Sequence, residues 1–164
     1  MVVVDSSALI PLSKAGALFL LKGLFKEVIA SREVFNECVV QGAGKPGTRE
    51  LEEAFSDWVK VRETNPVEAK KLAKAEGLEA ADASLVLLAK AEKQQLVSND
   101  AYLIEVARAH GVECLWVTSL VLTAVKGKTL NKEKAKDVLL NIVKAGMNVK
   151  PVVFAALLKE IERL

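Results

Sequence analysis

Aspartate is scarce in this chain, and Asp5, Asp57, Asp82, Asp100 and Asp137 are its only copies. Two of them follow strand-like runs: Asp5 closes "VVV", and Asp100 comes just after "QLVS". In an open parallel sheet, ligands bind beyond the carboxyl ends of the strands, where both would lie. Asp82 opens the apolar run "ADASLVLLAKA", and Glu79, three residues earlier, can share its helical face. Glu37 stands in "SREVFNECVV", four residues after Glu33. If Asp5, Glu37, Asp82 and Asp100 converge above a sheet, their uncompensated charge is destabilising, and the cluster either takes up protons or binds a cation. Oxygen donors without histidine or thiolate suit Mg²⁺ or Mn²⁺. A hydrated divalent cation activates water and stabilises a phosphoryl transition state.

Each acid also has a plainer reading. Asp before a helix caps orphan backbone N–H groups, which would account for Asp5 and Asp100 separately. Asp82 in a first helical turn is favourably placed against the helix dipole. Glu33 and Glu37, like charges one turn apart, read as solvated residues at slight cost.

Other chemistries find less support. His110 is the only histidine, and in "ARAHGVE" it falls at a helix C-terminus, where structural capping is favoured over a Ser-His-Asp role. The chain has no GxGxxG and no GxxxxGK[ST]; "GAGKPGT" has the wrong spacing and context. Cys38 and Cys114 are isolated, which excludes a zinc site or a disulfide framework and fits a reducing cytoplasm. Trp58 and Trp116 fall in strand-like runs and read as core residues. Lys14, Lys45, Arg49 and Arg108 are candidate phosphate contacts, although solvated basic side chains are commoner.

The elements that must position these residues alternate. Strand-like runs occur at Val2–Val4, Glu27–Ile29, Trp58–Val61, Gln95–Ser98 and Cys114–Val117. Between them, apolar residues recur at helical spacing, as in Leu51, Ala54 and Phe55, in Leu85, Leu88 and Ala89, and in Leu103, Val106 and Ala107. This βαβα order predicts an α/β fold with a parallel sheet flanked by helices. The glycine-rich stretch "QGAGKPGTRE", residues 41 to 50, is the clearest loop, with a helix starting near Thr48. After Thr118 two helical segments are expected, about Leu130–Ala145 and Val152–Arg163, separated by "GMNVKP" and appended to the sheet unit.

With 164 residues the chain suits one domain. It is 51% hydrophobic and 27% charged, an ordinary globular composition. The 23 basic and 21 acidic residues leave a net charge of +2, which alone argues neither for nor against nucleic acid. The apolar stretch from Ala8 to Phe25 is interrupted by Pro11, Lys14, Lys22 and two glycines, so neither a signal peptide nor a membrane span is expected, and a cytoplasmic protein is.

"VVVDSSALI" at the start, "EVFNE" at 33 to 37, "EAADASLVLLA" at 79 to 89 and "LVSNDAYLIEVARAHGV" at 96 to 112 together resemble the PIN-domain family, in order and spacing, across residues 1 to about 118. The resemblance implies a three-layer α/β/α fold with a central parallel sheet of about five strands, a core over 1–118 and a helical C-terminal extension over 119–164. It implies a metal-dependent ribonuclease, with catalytic and metal-binding acids at Asp5, Glu37, Asp82 and Asp100 and with Mg²⁺ or Mn²⁺ as cofactor. Ser6 matches the small hydroxyl residue after the first aspartate. Ser98 stands where a hydroxyl can order Asp100 or a water, and Glu79 is a further acid beside the site. Partners implied are an RNA substrate and a second copy of the chain in a homodimer. The extended tail departs from compact VapC-type toxins and resembles a prokaryotic branch with a helical extension, which weakens the role of toxin held by an antitoxin protein. A catalytically weak PIN-fold binding module, acting through protein or RNA contacts, is the alternative function.

Overall fold

The computed structural model describes residues 1–164. Val2–Val4 form β1, and all three valines are fully buried, as expected for a central parallel strand covered on both faces. The remaining strands are β2 (Val28–Ser31), β3 (Val59–Arg62), β4 (Gln95–Ser98) and β5 (Cys114–Trp116). All neighbours pair in parallel, in the order β3-β2-β1-β4-β5. From β1 the chain steps outward to β2 and β3, then returns to lay β4 on the other side. The order therefore reverses between β1 and β4, and the crevice at the carboxyl ends of these two strands is the topological switch point.

The five strands lie where the alternating pattern puts them, within a residue of expectation except at the end of β2, which runs two residues further, to Ser31. Helices α1 (Ser6–Lys14), α2 (Phe19–Leu24), α3 (Arg32–Phe35), α4 (Thr48–Asp57), α5 (Pro66–Glu76), α6 (Ala80–Glu92) and α7 (Ala101–Ala109) fill the connections and complete a three-layer α/β/α arrangement. The loop at 41–47 is present, and α4 begins at Thr48. Gly47, at φ 85°, holds the N-cap position rather than Thr48. The Thr48 hydroxyl instead donates back to the Gly42 carbonyl and closes the loop.

Three helices follow β5: α8 (Val117–Lys126), α9 (Lys132–Lys144) and α10 (Pro151–Arg163). The sequence reading anticipated the last two and missed α8. Leu120 and Val121 of α8, Leu139 and Ile142 of α9 and Ile161 of α10 are buried in the same cluster of 39 residues that contains the β1 valines. The tail thus packs into the sheet's own core instead of hanging from it. Trp58 packs against this cluster, whereas Trp116, also read as core, lies outside it and lines a surface groove.

Candidate active site

The turn from β1 into α1 places Asp5 at the switch point. Its backbone is extended (φ −88°, ψ 156°), and its carbonyl accepts from Ala8 N at 3.1 Å and Leu9 N at 3.0 Å. Its carboxylate does not cap the helix. Instead it accepts from Ser7 Oγ at 2.6 Å, from Ser98 Oγ at 2.9 Å and, more distantly, from Ser6 Oγ at 3.4 Å. At 3% exposure Asp5 is the most hidden acid of the group. Burial raises its pKa, hydroxyl donors from Ser7 and Ser98 oppose that rise, and the Asp100 charge adds to it.

Glu37 reaches the site from an irregular piece of helix. After α3 the chain continues through a π-helical turn, Asn36–Val40, a widened turn often found at functional sites. The Ser6 hydroxyl donates to Glu37 Oε2 at 2.7 Å, so one serine touches both Glu37 and Asp5. Burial raises the Glu37 pKa, Ser6 opposes, and Asp5, Glu79 and Glu33 push it further upward. Immediately after this turn, a side chain at Gly42 would overlap the Cys38 carbonyl, so the exit from the turn requires glycine.

Asp82 occupies the first turn of α6 and is half-buried. Its pKa is pushed up to about 7, first by burial and then by the charges of Asp5, Asp100, Glu37 and Glu79. Glu79 sits exposed at the N-cap of α6, its side chain making no cap. Asp100 does cap its helix, accepting from Tyr102 N at 3.0 Å and Leu103 N at 3.1 Å. The plainer reading therefore holds for Asp100's hydrogen bonds and not for Asp5's. Ser98, fully buried at the end of β4, links the two: its Oγ donates to Asp5 and accepts from Asp100 N at 3.0 Å.

None of these acids is paired with a lysine or arginine. The charge is uncompensated at a crevice where burial makes compensation valuable. As the side chains stand, no three carboxylates close on a common chelating centre. The reason is visible in the hydrogen bonds, since the Asp5 carboxylate is held by serines, Glu37 by Ser6, and Asp100 by the α7 backbone. This donor set still fits a hard divalent cation. Mg²⁺ usually keeps several waters and takes only one or two protein carboxylates, so it does not demand a closed protein cage.

Ser7, which the sequence offers only as the neighbour of Ser6, contributes as well. Its Oγ donates to Asp5 and accepts from Asn99 N at 2.9 Å, tying the β1 and β4 ends together. The signal for it was the doubled serine of "VVVDSSALI". Of the basic candidates, Lys14 borders the site, in a groove with Ser6 and Ser7. Arg49 pairs with Glu53, and Arg108 turns toward the Cys114 carbonyl. His110 Nε2 lies 2.9 Å from Glu76 Oε1, facing α5 and no serine.

A family model described as a PIN domain, DUF3368, matches residues 1–163. The chain belongs to the PIN-domain family. Solved structures resemble it, among them the following two. PAE2754 from Pyrobaculum aerophilum aligns over 73% of this chain and 85% of its own, at 23% identity and a TM-score of 0.58. SSO1118, a PilT N-terminus domain protein from the hyperthermophilic archaeon Sulfolobus solfataricus P2, aligns over 75% of this chain and 92% of its own, at 17% identity and a TM-score of 0.56. These two likenesses speak to the fold alone. No curated protein matches the chain significantly. PIN domains are generally nucleases and typically use divalent metals, so a hydrolase of the nuclease kind is the coarse reading. No helix of this PIN domain is long and apolar enough to cross a membrane.

Proposed function

We propose that the protein is an endoribonuclease that hydrolyses RNA phosphodiester bonds with Mg²⁺ or Mn²⁺. The observation that carries the reading is the group of Asp5, Glu37, Asp82 and Asp100 at the β1/β4 switch point, acids that raise one another's pKa and have no basic partner. A divalent cation bound there would lower the pKa of water and offset charge on the phosphoryl oxygens.

The chain's own residues supply rigidity and orientation. Asp5 is fixed by the buried β1 and by two serine hydroxyls, which presents its oxygens without a rotamer search. Ser6 holds Glu37 against Asp5, and Ser98 sets the Asp100 backbone relative to the Asp5 carboxylate. Asp82 faces them from α6, which makes the pocket unfavourable for a lone phosphate until a cation is present.

The test is cleavage of a single-stranded RNA with Mn²⁺ or Mg²⁺, run beside the same sequence in DNA. Asp5→Asn and Asp100→Asn should each lower the rate at least about 100-fold, in line with the loss of a metal-held constellation. Cleavage untouched by both substitutions would overturn the assignment. A second reading, a PIN-fold module that binds RNA without cutting it, draws on the carboxylates' existing hydrogen bonds and the absence of a closed three-acid centre. It predicts RNA retention with no divalent-dependent cleavage.

A further inference from the structure

Trp116 ends β5, the last strand at that edge of the sheet, and Val117 already opens α8. In the ladder it pairs with Ser98, the residue that hydrogen-bonds Asp5. Neighbouring strands lie about 4.8 Å apart and register partners project to the same face, so the indole stands one strand from the acids. It is half-buried, outside the core cluster, and lines a groove of about 510 Å³ with Asn99, Thr118, Asn148, Val149 and Lys150. A second groove of about 420 Å³ runs past Ser6, Ser7 and Lys14 and shares Asn99 and Asn148 with the first. The two adjoin at Asn99 and Asn148, giving a trough bordered by Ser6 and Ser7 on one side and by Trp116 on the other, with residues of the loop between α9 and α10 lining both parts. Each part falls within the roughly 300–1,000 Å³ typical of small-molecule sites.

The chemistry along this trough is that of a nucleotide. Lys14 lines one groove and Lys150 the other; both are exposed, and neither forms an ion pair within the chain. They are suited to phosphates flanking the acids, which would otherwise repel a polyanion. Asn99 and Asn148 carry amides that both donate and accept, which a base edge can use. An indole face is the stacking platform common to single-strand readers, and a base paired within a duplex cannot present its face to it.

We propose that this trough seats one unpaired nucleotide of the RNA beside the scissile phosphate, its base stacked on Trp116 and its edge against Asn99 and Asn148. The proposal rests on the endoribonuclease reading and adds to it a base-stacking position at Trp116 and a recognition role for the C-terminal loop.

Trp58→Phe leaves Trp116 as the only indole, since the chain has two tryptophans. The fluorescence of this variant is titrated, with Ca²⁺ in place of Mg²⁺ or Mn²⁺ so that the acids are neutralised while cutting is suppressed, with a ten-nucleotide single-stranded oligoribonucleotide of mixed sequence and with its blunt duplex. Saturable quenching by the single strand at roughly tenfold lower concentration than by the duplex is expected. No quenching, or equal quenching by both, overturns the proposal. In cleavage by the otherwise unaltered protein, Trp116→Ala should raise KM about tenfold with kcat within about threefold, and Trp116→Phe should restore most of the loss, because phenylalanine still offers a stacking face. An unchanged KM in Trp116→Ala, with the fold verified by circular dichroism, overturns it as well. Quenching without any cleavage by the unaltered protein supports the trough and removes the nuclease reading. Cleavage without quenching removes the trough and leaves the nuclease.

Discussion

Asp82 shows how the site trades stability for function. Its ordinary pKa of 3.8 is pushed up to about 7 in the fold, first by burial and then by four acidic neighbours. The folded form therefore holds a proton that the unfolded form has released, and stability declines as pH climbs from about 4 to about 7. Asp82→Asn removes that decline. Because Asp82 is only half-buried, solvent screening limits the gain at pH 7.5 to about 1 kcal/mol, or a Tm higher by about 2–4 °C. At pH 4 the same substitution should leave Tm nearly unchanged; both values come from thermal melts in EDTA. Asp5 and Glu37 shift in the same direction, so they steepen the decline in the unaltered protein. A cation that binds only the folded state reverses it: Mg²⁺ or Mn²⁺ at 100 times its Kd adds about 2.7 kcal/mol, and so raises Tm by about 5–10 °C. Asp5→Asn should abolish that rise. The carboxylates were legible in the sequence because each stands beside a strand end or helix start. Ser7 was less so, because the bond it accepts from Asn99 N depends on the contact between the ends of β1 and β4, which are more than ninety residues apart in sequence.

Among the elements, the π-helical turn Asn36–Val40 carries Glu37 and is sealed by Gly42 and Thr48. A Cβ at Gly42 would collide with backbone, the Cys38 carbonyl, and backbone yields less readily than a flexible side chain. Gly42→Ala should therefore cost about 1–3 kcal/mol in urea denaturation and, by moving Glu37 off Ser6, lower RNA cleavage by about tenfold or more. Thr48→Val, which keeps the shape and loses the hydroxyl donor to the Gly42 carbonyl, tests the same closure more gently, at about 1 kcal/mol. Strands were the elements best read from sequence, since valine-rich runs between polar turns have few other uses. The π turn was invisible, because widening a helix by one residue leaves the pattern of apolar positions almost intact. Helix α8 was hidden by its own hydrophobicity: "CLWVTSLVLTAV" passes from strand to helix without a glycine, a proline or a charged residue. Helix α5 was missed for the opposite reason, as its buried face is little more than Ala69 and Ala73.

At the scale of the whole molecule, the last forty residues decide whether there is one cooperative unit or two. Leu139 and Ile142 of α9 and Ile161 of α10 share the buried cluster with the β1 valines, and α9 packs against α1 as well as α8. Ile142 is fully buried, and Ile142→Ala should cost about 2–5 kcal/mol, a fall in Tm of roughly 5–15 °C. The informative quantity is how that loss is distributed. Trp58 reports from the start of β3, at the far edge of the sheet, while far-ultraviolet circular dichroism is dominated by the helices. In a Trp116→Phe background, where Trp58 is the only indole, both signals should move together in Ile142→Ala, through one transition of unchanged steepness in urea. A helical signal melting ahead of Trp58 would mean that the tail unfolds by itself over an intact sheet. Coincident transitions are expected because α1, which follows directly on Asp5 and carries Ser6 and Ser7, is one of the helices against which α9 packs. Loosening the tail therefore loosens the serines that hold Asp5, and cleavage by Ile142→Ala should fall well below its melting temperature, at temperatures where the unaltered protein retains full rate.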